Sequence, residues 1–228
     1  MFKLEAEMRE PVAQWMRSQG LTIRAEFISP WGICDLVGLC FNEHNVARRN
    51  HLKQNRAVTS MVRAALLLKI PDIESNEAIT INQLIKECSP SLIPERVTAE
   101  AERLVKDGFV LRRKRNSLQK INGWTPLQKR FIAIELKLKR VAEAILQAEN
   151  NFGFADESYI ALPDDLATRL AAKLARRETF KASGVGLLGV TSNSCKLLIP
   201  SHRQNIEKDA VVQFYCVEKF WSVCAKDN

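Results

Sequence analysis

The segment from Ile33 to Phe41 is a near-continuous apolar run that a single carboxylate, Asp35, interrupts. Such a run is typical of a central β-strand that is covered on both faces. A buried carboxylate is costly unless it is paired with a cation or bound to a metal ion. The run therefore predicts a layered α/β fold in which Asp35 has a specific partner.

A second strand, expected over residues 131–139, combines apolar and charged side chains by alternation. Apolar residues fall on one face and charged residues on the other: Ile134, Leu136 and Leu138 against Glu135, Lys137 and Lys139. Glu135 and Lys137 are two residues apart, so they point to the same side of the strand. They could share a metal ion, a water molecule or an ion pair, and the spacing alone leaves these three possibilities open.

The N-terminal segment 4–19 has the pattern of an amphipathic helix that Gly20 ends. At about 100° per residue, Glu5 falls on the same inward stripe as Met8 and Val12. Glu7 falls on the opposite side and is expected to be a surface charge. If the helix is rotated relative to this assignment, Glu7 or Glu26 would be the inward-facing glutamate instead of Glu5.

The chain is expected to form an α/β sheet domain that a mainly helical insertion divides. The segments 1–51 and 123–228 are predicted to form one core, and 52–122 is predicted to be the insertion. The last segment ends in a helical tail to which no function is assigned. Residues 42–56 are predicted to be a polar connection. A helix from about residue 57, a second from 80 and a third from 94 follow, and the stretch 165–178 is predicted to be one further helix.

A helix with an inward Glu, a strand with Asp, a strand with Glu-x-Lys and a further helix resemble the PD-(D/E)xK nuclease superfamily, which has the restriction-endonuclease-like fold. The match uses Glu5, Cys34-Asp35, Glu135-Leu136-Lys137 and Gln147, followed by Tyr159 to Pro163 on the next strand. It covers roughly 1–41 and 131–190. Cys34 stands where the name-giving proline of the family would be, a position that varies and contacts no metal.

The resemblance implies a metal-dependent nuclease that acts on DNA. Asp35 and Glu135 would bind Mg²⁺, with Mn²⁺ as a substitute, and Glu5 would support a second metal ion or its water shell. Lys137 would orient and help deprotonate the attacking water. Gln147 would position water or a phosphate oxygen. A structural interpretation stands beside this one, in which Glu135 and Lys137 form an ion pair at a strand edge and Asp35 caps a turn.

The insertion resembles a winged helix-turn-helix, since its third helix passes through Asp107-Gly108 into an apolar strand and a basic hairpin. Residues 52–122 contain 13 Lys and Arg against 8 Asp and Glu, so 13 − 8 gives +5 of the net charge of +8. The predicted DNA contacts are Arg96, Arg103, Arg112, Arg113, Lys114, Arg115 and Lys120. Winged helices also bind proteins, and Glu95, Glu100 and Glu102 on the third helix disfavour deep entry into a DNA groove.

The charge of +8 favours a polyanionic partner, and we expect double-stranded DNA. Hydrophobic residues at 46% and charged residues at 26% exclude a disordered or collagen-like chain. Six dispersed cysteines without a CxxC pair, together with three histidines, disfavour a zinc site. No apolar run approaches the roughly 18 residues of a membrane span, and a cytoplasmic protein is expected.

Three functions stay open at this point. The first is the nuclease, the second is a non-catalytic DNA-binding or regulatory protein on the same fold, and the third is an assembly subunit that uses the winged helix for protein contacts. A homodimer and a complex with another protein are both compatible with the sequence.

Overall fold

The computed structural model describes residues 2–54, 56–88, 90–121, 126–202 and 209–224. The chain divides into two compact units, one formed by Met1–Phe41 with Gln128–Gln213 and the other by Asn42–Leu127 with Phe214–Asn228. The second unit thus begins at Asn42, earlier than the expected residue 52, and it takes in most of the C-terminal tail. The expected boundary at 122 and 123 lies outside the described residues.

Nine strands and nine α-helices occur in the described ranges. The strands are β1 (Thr22–Ser29), β2 (Gly32–Phe41), β3 (Ile79–Thr80), β4 (Val110–Arg112), β5 (Ser117–Lys120), β6 (Gln128–Leu136), β7 (Glu157–Pro163), β8 (Gly186–Val190) and β9 (Cys195–Ile199). The helices are α1 (Arg9–Ser18), α2 (Glu43–His51), α3 (Met61–Lys69), α4 (Ile81–Cys88), α5 (Pro94–Lys106), α6 (Val141–Asn151), α7 (Asp164–Ala172), α8 (Leu174–Ser183) and α9 (Ala210–Cys224).

The first unit is a mixed sheet of six strands in the order β1-β2-β6-β7-β8-β9. Strands β1, β2 and β6 are antiparallel neighbours, β6, β7 and β8 run parallel, and β9 returns antiparallel at the edge. The predicted α/β class is confirmed. Because β2 and β6 are adjacent, Asp35 and Glu135 come to the same part of the sheet although 100 residues separate them in the sequence.

Helices cover both faces of this sheet. Met8, Val12 and Met16 recur one turn apart and pack on one face, where Ile134 and Leu136 of β6 are buried with them. The opposite face packs against α6, α7 and α8 through residues such as Ala144, Ala148, Phe152, Ala167 and Phe180. The single helix expected over 165–178 is wrong. Two helices occupy this stretch, because extended backbone at Lys173 separates α7 from α8.

The second unit contains α3, α4 and α5 with a three-stranded sheet in the order β3-β5-β4. The polar connection expected over 42–56 is wrong, because α2 occupies most of it. The Asn42 side chain caps this helix by accepting a hydrogen bond from Asn45 N at 3.3 Å. Helix α3 begins at Met61, later than expected, and Ser60 is its N-cap.

A buried ion pair joins α2 to α9 within the second unit. The Arg49 guanidinium donates two hydrogen bonds to the Glu218 carboxylate, and both side chains are at most 3% exposed. Glu218 also accepts a hydrogen bond from Val58 N at 2.9 Å, and the Arg49 guanidinium lies 4.1 Å from the Trp221 ring. The tail thus holds α2 in place. No helix in the described ranges is long and apolar enough to cross a membrane.

Candidate functional site

Asp35 lies on β2 at the end of the ladder that β2 forms with β6. The last pair of that ladder is Leu36 with Ile134, and Asp35 Oδ2 accepts a hydrogen bond from Leu136 N at 2.7 Å. The carboxylate is therefore fixed across the end of β6. Because Asp35 accepts its hydrogen bond from a neighbouring strand, the expectation that it caps a turn is wrong.

Glu135 is almost fully buried on β6, with 4% of its surface exposed. Asn151 Nδ2, on α6, donates a hydrogen bond to Glu135 Oε1 at 2.8 Å. Burial raises the pKa of Glu135, and the nearby negative charge of Asp35 adds to this, while Asn151, the Cys34 thiol and Lys137 lower it in part. The carboxylate is thus held in one orientation at an electrostatic cost.

Lys137 follows directly after β6, and its backbone N donates to Ala161 O at 3.1 Å. Its Nζ lies 3.8 Å from Glu5 Oε2, and the lysine side chain is 15% exposed. Glu5 Oε1 also accepts a hydrogen bond from Leu138 N at 3.1 Å. The segment that precedes α1, the end of β6 and the lysine therefore meet at one place.

Glu5 is not on the regular helix that the sequence predicted. It lies in a 3₁₀ turn, Glu5–Met8, that precedes α1, and its side chain is 44% exposed. The two substitutes considered for it have other partners, since Glu7 accepts from Lys3 N and Glu26 pairs with Arg9. Of the three, Glu5 is the residue that contacts the end of β6.

Gln147 lines a pocket of about 110 Å³ together with Glu135. The other lining residues are Ser29, Trp31, Gly32, Ile33, Asn150 and Asn151. Gln147 Oε1 is buried and has no hydrogen-bond partner among the described residues. A buried amide oxygen without a partner is costly, so this atom is available to a water molecule or a ligand in the pocket.

The backbone opposite Asp35 is strained. Strand β1 pairs Ala25 with Leu36 and Phe27 with Cys34, so Glu26 lies across from Asp35. Glu26 has a φ of +53°, which a residue with a side chain rarely adopts. Strain of this kind costs about 1–3 kcal/mol and is concentrated at functional sites.

The donor set fits a hard divalent cation of the Mg²⁺ type. Mg²⁺ is commonly bound through one or two carboxylates, with water and substrate phosphate in the remaining positions. Each of Asp35 and Glu135 has about four lone-pair sites, so the hydrogen bonds described above leave both with acceptor capacity. No group of three or more His, Cys, Asp or Glu residues in the described ranges is placed to hold a metal ion. A site with three protein ligands does not fit these residues.

The predicted DNA contacts of the second unit fall into two groups. Several already have protein partners: Arg112 pairs with Glu102, Arg103 with Glu100, and Arg113 Nε donates to Gln119 Oε1 at 2.8 Å. Lys120 is half-buried in β5, and burial lowers its pKa. Arg96, Lys114 and Arg115 are exposed and form no ion pair within the described part of the chain.

Two residues of the site, Cys34 and Asn151, were not predicted to contribute. Asn151 Nδ2 lies 3.7 Å from Cys34 Sγ as well as 2.8 Å from Glu135 Oε1. Asn151 is one turn after Gln147 on α6, and this i, i+4 spacing is the signal that could have found it. Tyr159, which contributed to the resemblance, donates to Glu157 Oε2 at 2.6 Å and belongs to an ion-paired network with Arg130.

Glu135→Gln is expected to raise the melting temperature of the metal-free protein at neutral pH. A carboxyl group whose pKa is raised in the folded state stabilises the fold only at low pH, and this contribution is lost as the pH rises through that pKa. Glutamine removes the buried charge and keeps an oxygen for Asn151. Thermal unfolding in EDTA at pH 7.5 and pH 4 measures the change, and the advantage of the variant should shrink at pH 4. A clear loss of stability at neutral pH would instead indicate a structural ion pair.

No family model, no curated protein and no solved structure matches the chain.

Proposed function

We propose that the protein is a metal-dependent nuclease of the restriction-endonuclease-like type that hydrolyses phosphodiester bonds of DNA. The observation that carries the proposal is the convergence of Asp35, Glu135, Lys137 and Glu5 at the end of β6. One of them, Glu135, is buried and lines a pocket in which the amide oxygen of Gln147 has no hydrogen-bond partner among the described residues. A buried carboxylate with a raised pKa that lines a pocket is typical of functional sites.

Each residue has a defined part in this proposal. Asp35 and Glu135 would hold Mg²⁺, which, when bound, lowers the pKa of water and neutralises charge on the phosphate. Asn151 and the Leu136 N–H keep the two carboxylates oriented. Lys137 lies next to Glu5 and would orient the attacking water and move its proton. Gln147, which lines the same pocket as Glu135, would position that water or a phosphate oxygen.

The second unit supports a role in holding duplex DNA. Its order of elements, α3-β3-α4-α5-β4-β5 with β5 between β3 and β4, agrees with the winged helix that the sequence suggested. The β4–β5 turn presents Lys114 and Arg115, and the first turn of α5 presents Arg96. Exposed cations without protein partners are suited to contact phosphates, which provide affinity rather than sequence specificity.

Replacement of both Lys114 and Arg115 by alanine is expected to weaken duplex binding at every DNA sequence. Two phosphate contacts fewer should reduce the slope of log affinity against log salt by about 2. Titration of a labelled duplex at several salt concentrations in EDTA measures the slope. Arg103→Ala is the matched control, since Arg103 is paired with Glu100 and should leave the slope nearly unchanged. Equal slopes for all three proteins would contradict a role of this turn in DNA binding.

The second candidate function is a non-catalytic DNA-binding protein on the same fold. It is favoured by the observation that Asp35, Glu135 and Glu5 each already have a hydrogen-bond donor from the protein. One experiment separates the two candidates: labelled duplex, forked and single-stranded DNA are incubated with the protein in Mg²⁺, Mn²⁺ or EDTA. Cleavage with either metal and none in EDTA supports the nuclease. A gel shift with no cleavage under any condition supports the non-catalytic protein.

A further inference from the structure

The turn between β1 and β2 projects past the sheet beside the candidate site. Paired residues of β2 and β6 extend only to Leu36, whereas β1 and β2 remain paired as far as Ser29 with Gly32. At roughly 3.3 Å per residue, the hairpin therefore reaches about 13 Å beyond the last β2–β6 pair. It extends from the end of that ladder at which Asp35 and Glu135 lie.

The tip of this hairpin is apolar, uncharged and exposed. Ile28, Trp31 and Ile33 are 56%, 50% and 64% exposed, and residues 28–33 contain no charged side chain. Trp31 and Ile33 also line the pocket that contains Glu135 and Gln147. A group of large exposed apolar side chains around a site is a feature of binding surfaces.

The Trp31 ring is held in place by contact with Gly153. A Cβ added to Gly153 would lie 2.3 Å from the ring, so only glycine permits this approach. One part of the indole is thus packed against backbone, while half of the residue remains open to solvent. Held in this way, the ring is an aromatic platform rather than a freely rotating side chain.

We propose that Trp31 stacks on an unpaired nucleobase next to the phosphate that is cleaved, so that the preferred substrate is DNA with a junction between duplex and single strand. The inference rests on the proposed function. The pocket itself, at about 110 Å³, has room for a few water molecules and not for a nucleotide. A base next to the site would therefore lie outside the pocket, against the exposed parts of Trp31 and Ile33.

Charge complementarity supports this occupant. Phosphates favour the cations at the end of β6, where Lys139 is exposed and has no ion-pair partner among the described residues. Bases favour the uncharged tip, because an aromatic ring stacks on any base face. In an intact duplex those faces are covered by neighbouring base pairs, so a stack on Trp31 needs an unpaired base.

The test uses the full chain in EDTA, where binding is measured without cleavage. The probes are a forked DNA with 2-aminopurine as the first unpaired base and a full duplex with 2-aminopurine at the same position. Wild type is expected to bind the fork more tightly and to quench its 2-aminopurine. Trp31→Leu should lose the quenching and bind the fork about 5- to 150-fold more weakly, the range for loss of one base–aromatic stack, with little change for the duplex.

Two further variants control for folding and position. Gly153→Ala keeps the tryptophan but displaces its ring, so it should reproduce the loss on the fork. Leu197→Ala removes an exposed apolar side chain on β9, at the opposite edge of the sheet, and should behave like wild type. Equal binding of fork and duplex by wild type, absence of quenching, or unchanged fork binding by a folded Trp31→Leu would each overturn the inference. Quenching on the fork without cleavage in Mg²⁺ would instead refute the proposed function and leave the stack standing.

Discussion

Lys137→Met is expected to reduce metal-dependent DNA cleavage by about 10²- to 10⁴-fold, the range for loss of a general acid or base. The side chain lies where a strand end and Glu5 meet, and methionine retains its length without the charge. Glu135→Gln should have an effect at least as large, because it removes a charged ligand from a hard divalent cation. Single-turnover cleavage of labelled DNA in Mg²⁺ measures both rates.

Lys139→Met is the matched control for these variants. Lys139 is two residues further along and exposed. As a phosphate contact it should weaken DNA binding when it is lost, but at saturating protein the single-turnover rate should change little. The combination expected of Glu135→Gln is unusual, since the same protein should be more stable without metal and nearly inactive with it. If Lys137→Met and Lys139→Met retained equal and near wild-type rates, the assigned role of Lys137 would be wrong.

Glu218→Ala is expected to lower the free energy of unfolding by about 3–5 kcal/mol, the cost of leaving one member of a buried ion pair without its partner. Arg49 would keep its charge in a site where its side chain is 3% exposed. Val58 N would lose its acceptor at the same time. Urea unfolding followed by tryptophan fluorescence is suited to the measurement, because Trp221 lies against Arg49.

An exposed ion pair next to this one provides the comparison. Arg48 pairs with Glu74 at 2.9 Å, with side chains 36% and 65% exposed. Glu74→Ala should therefore cost no more than about 1 kcal/mol. If both glutamates caused the same small loss, the buried pair would not hold α9 to the second unit in the way described.

Elements with a clear apolar period were predictable from the sequence. The strands β2 and β7 and the helix α5 were expected close to their observed positions, because burial on one or both faces leaves a pattern in the sequence. Strand β6 begins and ends three residues earlier than the expected 131–139, so Lys137 and Lys139 follow the strand instead of lying in it. Helix α2 was missed because its one buried residue is Arg49, a charged residue whose partner lies 169 residues away. No local pattern reports such a pair.

The acidic residues of the candidate site were predictable from the sequence, whereas its geometry and the contributions of Cys34 and Asn151 were not. A carboxylate inside an apolar strand is visible in the sequence, and this was sufficient to single out Asp35 and Glu135. Their supports depend on strand register and on helix packing, as in the hydrogen bond of Asn151 to Glu135 and that of Leu136 N to Asp35. The 3₁₀ turn at Glu5 also escaped prediction, since a short turn preceding a helix has the same apolar spacing as the helix itself.

Nicking of supercoiled plasmid is the most direct test that a metal-dependent phosphodiesterase site lies at the end of β6. Wild-type protein and Glu135→Gln are compared in Mg²⁺ and in EDTA, with the open-circular product measured over time. We predict that wild type converts the plasmid in Mg²⁺ only and that Glu135→Gln is nearly inert under both conditions. Equal nicking by the two proteins in Mg²⁺, or nicking that persists in EDTA, would contradict the account.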